Sequence, residues 1–198
     1  MTVPELGLVE FTRPQDLPAD APLVVLGPAL GTSVTHLYAP LVPLLSGRFH
    51  VVGWDLPGHG VSAPTQEFTV AELVASAGTP TQVVTCAKAW FAADFLAQHS
   101  ELCTPLLHDL QGTDRFSYAA ACRALADYDL REETGPAAVP SAVVTGTEDA
   151  MVGPDVARPL AQALRARCEI VDGAAHLVPL AAPELLERVL TDLVAAMR

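Results

Sequence analysis

The sequence predicts an α/β domain built on a doubly wound, mostly parallel sheet. Apolar, β-branched runs recur along the chain: "PLVVLG" (22–27), "FHVVGWD" (49–55), "TQVVTC" (81–86), "SAVVTG" (141–146) and "CEIVDG" (168–173). They are continuous rather than alternating, the pattern of strands buried on both faces. Helical patterns fill the intervals, clearest at 87–99, 116–128, 155–167 and 183–197. Strands that alternate with helices imply parallel crossover units. With no repeat and no low-complexity linker, residues 1–198 read as one domain, with a Gly/Pro loop at 132–141.

Taken in order, the first strand, 22–27, runs into the loop "GPALGTS" (27–33). A glycine-punctuated loop after a strand can aim backbone N–H groups at a developing oxyanion, here those of Ala29 and Leu30. The second strand ends in Asp55 and a Gly-His-Gly turn, "DLPGHGVS" (55–62), whose glycines suit a tight bend. His59 reads as a turn residue there. The run at 81–86 reads as strand, Cys86, helix, and makes Cys86 an alternative nucleophile. Its flanking Val84 and Lys88 are bulkier than a sharp strand-to-helix elbow accepts. The strand at 141–146 places Asp149 just past its carboxyl end, and the last strand places His176 likewise. Functional groups gather at the carboxyl ends of strands in open α/β sheets. An aspartate can orient an imidazole and stabilise its protonated form, so the pair suggests half of an acid–base triad. The final helix, 183–197, starts on a proline and carries an apolar stripe through Leu185, Leu186, Val189, Leu190 and Leu193.

Composition bounds the function. At 51% hydrophobic and 17% charged residues the chain can bury a sizeable core, and no apolar run is long enough for a bilayer. The N-terminus lacks a signal-peptide pattern, so a cytoplasmic protein is expected. A net charge of −12 without a basic stripe argues against nucleic-acid partners. Cys86, Cys103, Cys122 and Cys168 form no CxxC pair or Cys/His cluster, so no metal site is expected.

The "D-x-x-G-H-G-x-S" turn after an apolar strand, followed late in the chain by Asp149 and then His176, resembles the α/β-hydrolase fold, where the acid precedes the histidine. The stretch 89–132 narrows the likeness. Trp90–Phe91, Phe95, His99–Glu101, Thr113–Asp114 and Tyr118 through Leu130 fall at the spacing of the helical lid of 3-oxoadipate enol-lactone hydrolases. With "LGTS" and "GAAHL" the resemblance covers nearly the whole chain. It implies hydrolysis of a small-molecule ester or lactone in aromatic-compound (β-ketoadipate) catabolism, without a cofactor. Asp149 and His176 would be catalytic, Ala29 and Leu30 would form the oxyanion loop, and Trp90, Phe91 and Tyr118 would line the pocket. Residues 87–131 would be the remnant of the lid. Ala89 stands where the family carries an arginine.

One part is missing. The family's serine lies in G-x-S-x-G, and the chain contains no such motif. After "FTVAELVA" (68–75) it passes almost directly to the lid-like stretch, where a strand, a helix and a second strand of about 35–50 residues are expected. Removal of a central strand leaves backbone groups unpaired at roughly 1–3 kcal/mol each, against a total stability of about 5–15 kcal/mol. Unless 81–86 fills the space, the sheet is expected to suffer. The alternative function is a non-catalytic, hydrolase-derived binding protein, a pseudo-enzyme.

Overall fold

A computed structural model of the chain describes residues 6–64, 83–126, 129 and 134–197. The strands are β1 (Leu8–Glu10), β2 (Leu23–Leu26), β3 (His50–Trp54), β4 (Ala142–Gly146) and β5 (Arg167–Val171). The first three form one sheet in the order β1-β3-β2, and β4 and β5 form another. β2 runs parallel to β3 with Val24 opposite Val51, and β4 runs parallel to β5 with Val144 opposite Glu169. β1 is antiparallel to β3, an edge strand too short to stand out in the sequence pattern.

The helices are α1 (Val34–Leu37), α2 (Val42–Leu45), α3 (Val83–Trp90), α4 (Ala93–Gln98), α5 (Ser100–Gly112), α6 (Arg115–Ala126), α7 (Pro154–Leu164), α8 (Val178–Ala181) and α9 (Pro183–Ala196). Two apolar clusters hold them. In one, Val24, Leu26 and Val51 of the first sheet pack with Val34, Leu41, Leu45 and Phe49, and Leu186, Leu190 and Val194 of α9 cover them. In the other, Trp90, Phe91, Cys103, Leu106 and Leu110 of the helical segment meet Leu37, Leu177 and Leu180.

Between residues 81 and 99 the local expectations change. The run at 81–86 reads as a strand, but from Val83 onward it is helical; residues 81 and 82 lie outside the described residues. The reason is packing. Val83, Cys86, Ala89 and Trp90 recur at helical spacing and all meet the second cluster, which overrides the β-propensity of two valines. The single helix expected over 87–99 is broken, because Ala92 is extended (φ −61°, ψ 144°) between α3 and α4. The remaining strand runs lie within a residue or two of their predicted ends, as does the last helix.

Among the described residues the strands form two sheets rather than one. Among the described residues no strand joins β2 to β4. A cavity of about 320 Å³ lies between them, walled by Leu26 of β2 and by Ala142 and Val144 of β4. On the face of β2 away from α9, Leu23 and Val25 are 60% and 58% exposed, an unusual state for apolar residues of a parallel strand.

Candidate active site

The site is built at the carboxyl ends of the strands. β3 ends at Asp55, which is fully buried and accepts hydrogen bonds from the N–H of Val34 (2.7 Å) and of Val61 (3.1 Å). It ties the first turn of α1 to the Gly-His-Gly turn. Gly60 has φ +46°, and a Cβ there would lie 2.1 Å from Asp55 Oδ2, so the turn needs glycine for both backbone and space. His59 is buried in this turn, donates from Nδ1 to the Pro57 carbonyl (2.9 Å) and stacks on Tyr118. Burial pushes its pKa down, partly opposed by the Pro57 bond and by Asp55, Asp109 and Asp114. Its place is structural.

β4 and β5 position the acid and the histidine. At Gly146 an added Cβ would lie 1.9 Å from the Ala174 carbonyl, so glycine lets the loop carrying His176 close onto the end of β4. The Glu148 N–H donates to that same carbonyl (2.9 Å). His176 Nδ1 then lies 3.0 Å from Asp149 Oδ2. The other carboxylate oxygen, Oδ1, accepts from the N–H of Met151 (2.8 Å) and of Val152 (2.9 Å). Burial alone would raise the Asp149 pKa. The bonds from Val152, His176 and Met151 outweigh it and hold the carboxyl below the ordinary aspartate value of 3.8. An ionised carboxylate only accepts, so Nδ1 carries a proton, and in the neutral imidazole the free lone pair is on Nε2. The Asp149 side chain is 4% exposed and that of His176 is 24% exposed, so the imidazole remains reachable and also lines the cavity between the sheets.

The "GPALGTS" loop reaches the same place. Ala29 packs on the cluster that holds Trp90, Phe91 and Leu177, the neighbour of His176, and Tyr118 and Cys86 pack on it as well. The Leu177 N–H donates to the Trp90 carbonyl (3.1 Å). Leu30, next to Ala29, is half-buried, and among the described residues neither N–H has a partner. Ala29, Trp90, Phe91, Tyr118 and the His176 loop therefore converge on one apolar cluster. Cys86 stands differently. It lies inside α3 rather than at a strand-to-helix turn, and burial raises its thiol pKa more than the Tyr118 hydroxyl lowers it. A thiol held protonated inside a helix is a poor nucleophile.

A second polar cluster joins the loop to α5. The Ser33 N–H and Oγ both donate to Asp109 Oδ2 (3.0 and 2.6 Å), and His36 Nδ1 lies 2.8 Å from the same oxygen. One carboxylate so fixes the start of α1 to the helical segment. No local spacing signals it, since Asp109 lies 76 residues beyond Ser33. Among the described residues no group of His, Cys, Asp or Glu side chains is arranged to hold a metal ion.

The enol-lactonase of Burkholderia xenovorans LB400 superposes on the chain with a TM-score of 0.85 over 97% of both chains, at 22% identity. The chain has the α/β-hydrolase fold. No family model matches it. Two curated relatives come from Acinetobacter baylyi. The 3-oxoadipate enol-lactonase 1 is 26% identical over 147 residues, covering 74% of this chain and 50% of that protein. The 3-oxoadipate enol-lactonase 2 is 33% identical over 79 residues, covering 40% of this chain and 30% of that protein. This α/β-hydrolase-fold chain thus spans half or less of the length of the curated relatives it matches. No described helix is long and apolar enough to cross a membrane.

Proposed function

We propose that the chain is a hydrolase of carboxylic esters or lactones, with an enol-lactone as the preferred substrate. The observation that carries this reading is the Asp149–His176 pair. Its imidazole is oriented through Nδ1 by a carboxylate that two backbone N–H groups hold in place, which leaves Nε2 as a base. In the reaction, Nε2 takes a proton from an attacking water as the water oxygen bonds to the lactone carbonyl carbon. The N–H groups of Ala29 and Leu30 receive the negative charge that develops on the carbonyl oxygen. Collapse breaks the ring C–O bond, and the departing enolate oxygen takes the proton back from His176. The products are a carboxylic acid and an enol, which ketonises. Trp90, Phe91 and Tyr118, in the helical lid, supply an apolar cover that excludes water from the carbonyl. The names of the Acinetobacter and Burkholderia proteins support the choice of substrate.

The second reading, a pseudo-enzyme that binds without turnover, has its own observation. Among the described residues no hydroxyl or thiol is bonded to His176, and Ser33 is committed to Asp109. Assays with 3-oxoadipate enol-lactone and with a p-nitrophenyl ester separate the two. Hydrolysis above the buffer rate that His176→Ala removes supports the enzyme. Hydrolysis equal to buffer, with saturable binding of the lactone, supports the pseudo-enzyme.

A further inference from the structure

We propose that the gap between β2 and β4 is a slot for one extended strand supplied by another polypeptide, paired in parallel with both edges. The backbone supports it first. The Pro22 carbonyl accepts from His50, so Pro22, Val24 and Leu26 turn their backbone groups to β3, while Leu23 and Val25 turn theirs to the gap. On the other wall, the Ser141 carbonyl accepts from Arg167 and the Thr147 N–H donates to Val171. Ala142 and Val144 therefore aim their backbone groups at the gap. Among the described residues, these groups of Leu23, Val25, Ala142 and Val144 have no partner. Two such rows are a template for strand addition.

Direction and chemistry follow. The loops after β2 and after β5 meet in one cluster through Ala29 and Leu177, so the carboxyl ends of both sheets point the same way and an entering strand runs parallel to both. Leu190 and Leu193 of α9 floor the cavity. On the opposite face Leu23 and Val25 stand exposed. The occupant is therefore an apolar, β-branched strand, which would take up both the floor and that bare face. A second copy of the chain fits less well. At a net charge of −12 two copies repel, and pairing β2 with β2 across a two-fold axis leaves β4 unpaired. The carboxyl end of the inserted strand emerges beside His176. On the hydrolase reading proposed above, this is where a serine carried by that strand would meet the base.

The test uses the whole chain and a fluorescein-labelled peptide with five valine and isoleucine residues followed by Gly-x-Ser-x-Gly, flanked by lysines. Fluorescence anisotropy should show saturable one-to-one binding. The melting midpoint should rise by about 5–10 °C at a hundredfold excess over Kd. The same peptide with alternate backbone amides N-methylated should lose at least tenfold in affinity, because it cannot donate. Val25→Pro removes one slot-facing N–H and spares the bonds to β3, and should weaken binding similarly. Equal binding of both peptides overturns the proposal, as does no binding at all. Sedimentation as a dimer that Val25→Pro dissolves overturns it in favour of a second copy. Neither readout uses a lactone, so a failure of hydrolysis and a failure of strand insertion remain separate results.

Discussion

Asp149→Asn isolates what the carboxylate does for His176. Asparagine is nearly isosteric, and its single carbonyl oxygen can keep the bonds from Met151 and Val152 that Asp149 Oδ1 accepts. The amide NH2 then faces His176 Nδ1 in place of Oδ2, 3.0 Å away. A donor now meets a donor, so the imidazole must move its proton to Nε2. The lone pair turns inward and the base is lost. One charge-assisted hydrogen bond disappears, worth about 1.5–3 kcal/mol. For a chain of this size that lowers the melting midpoint by about 3–12 °C. The pH dependence follows from the lowered Asp149 pKa. The folded carboxyl binds its proton less readily than the unfolded one. Its contribution is therefore present above the ordinary value of 3.8 and is lost as pH falls through the lower folded value. The gap between wild type and variant should be full near neutrality and close in acid. Nitrogen-15 NMR of the imidazole at neutral to mildly alkaline pH should show Nδ1–H in the wild type and Nε2–H in the variant. A variant that keeps the Nδ1–H tautomer, or an equal melting midpoint at neutral pH, would refute the reasoning.

Asp55→Asn should destabilise strongly, because one buried oxygen replaces two that accept from Val34 and Val61; a loss of about 2–4 kcal/mol in urea titration is expected. His59 has a lowered pKa, so its contribution is full above about 6.5 and falls as pH drops toward the folded value. His59→Phe, which keeps the ring beside Tyr118, should flatten the acid limb of stability measured between pH 7 and 5. Iodoacetamide at pH 7.5 should leave Cys103 unlabelled by mass spectrometry, since it is buried and its pKa is pushed up to about 11. The half-buried Cys86 should label more slowly than the exposed Cys122, and any hydrolysis should survive its labelling.

The sequence by itself determined the α/β class and four of the strands, because continuous β-branched runs have few alternatives to a buried strand. It also placed Asp149 and His176 at strand ends. Those groups sit one turn beyond each run, where chain order alone locates them. What it could not decide depended on contacts distant in the chain. The run at 81–86 contains the valines of a strand, yet Val83 and Cys86 find the Trp90 cluster only on a helix. The bond from Ser33 to Asp109 joins residues with no common local pattern. The hydrogen bond between Asp149 and His176 needed Gly146 to admit the Ala174 carbonyl, a matter of close backbone approach that residue spacing does not express. The separation of the described strands into two sheets was decided only in three dimensions as well. Each strand is chosen by its own apolar run, but whether its edges are paired depends on which strand folds beside it.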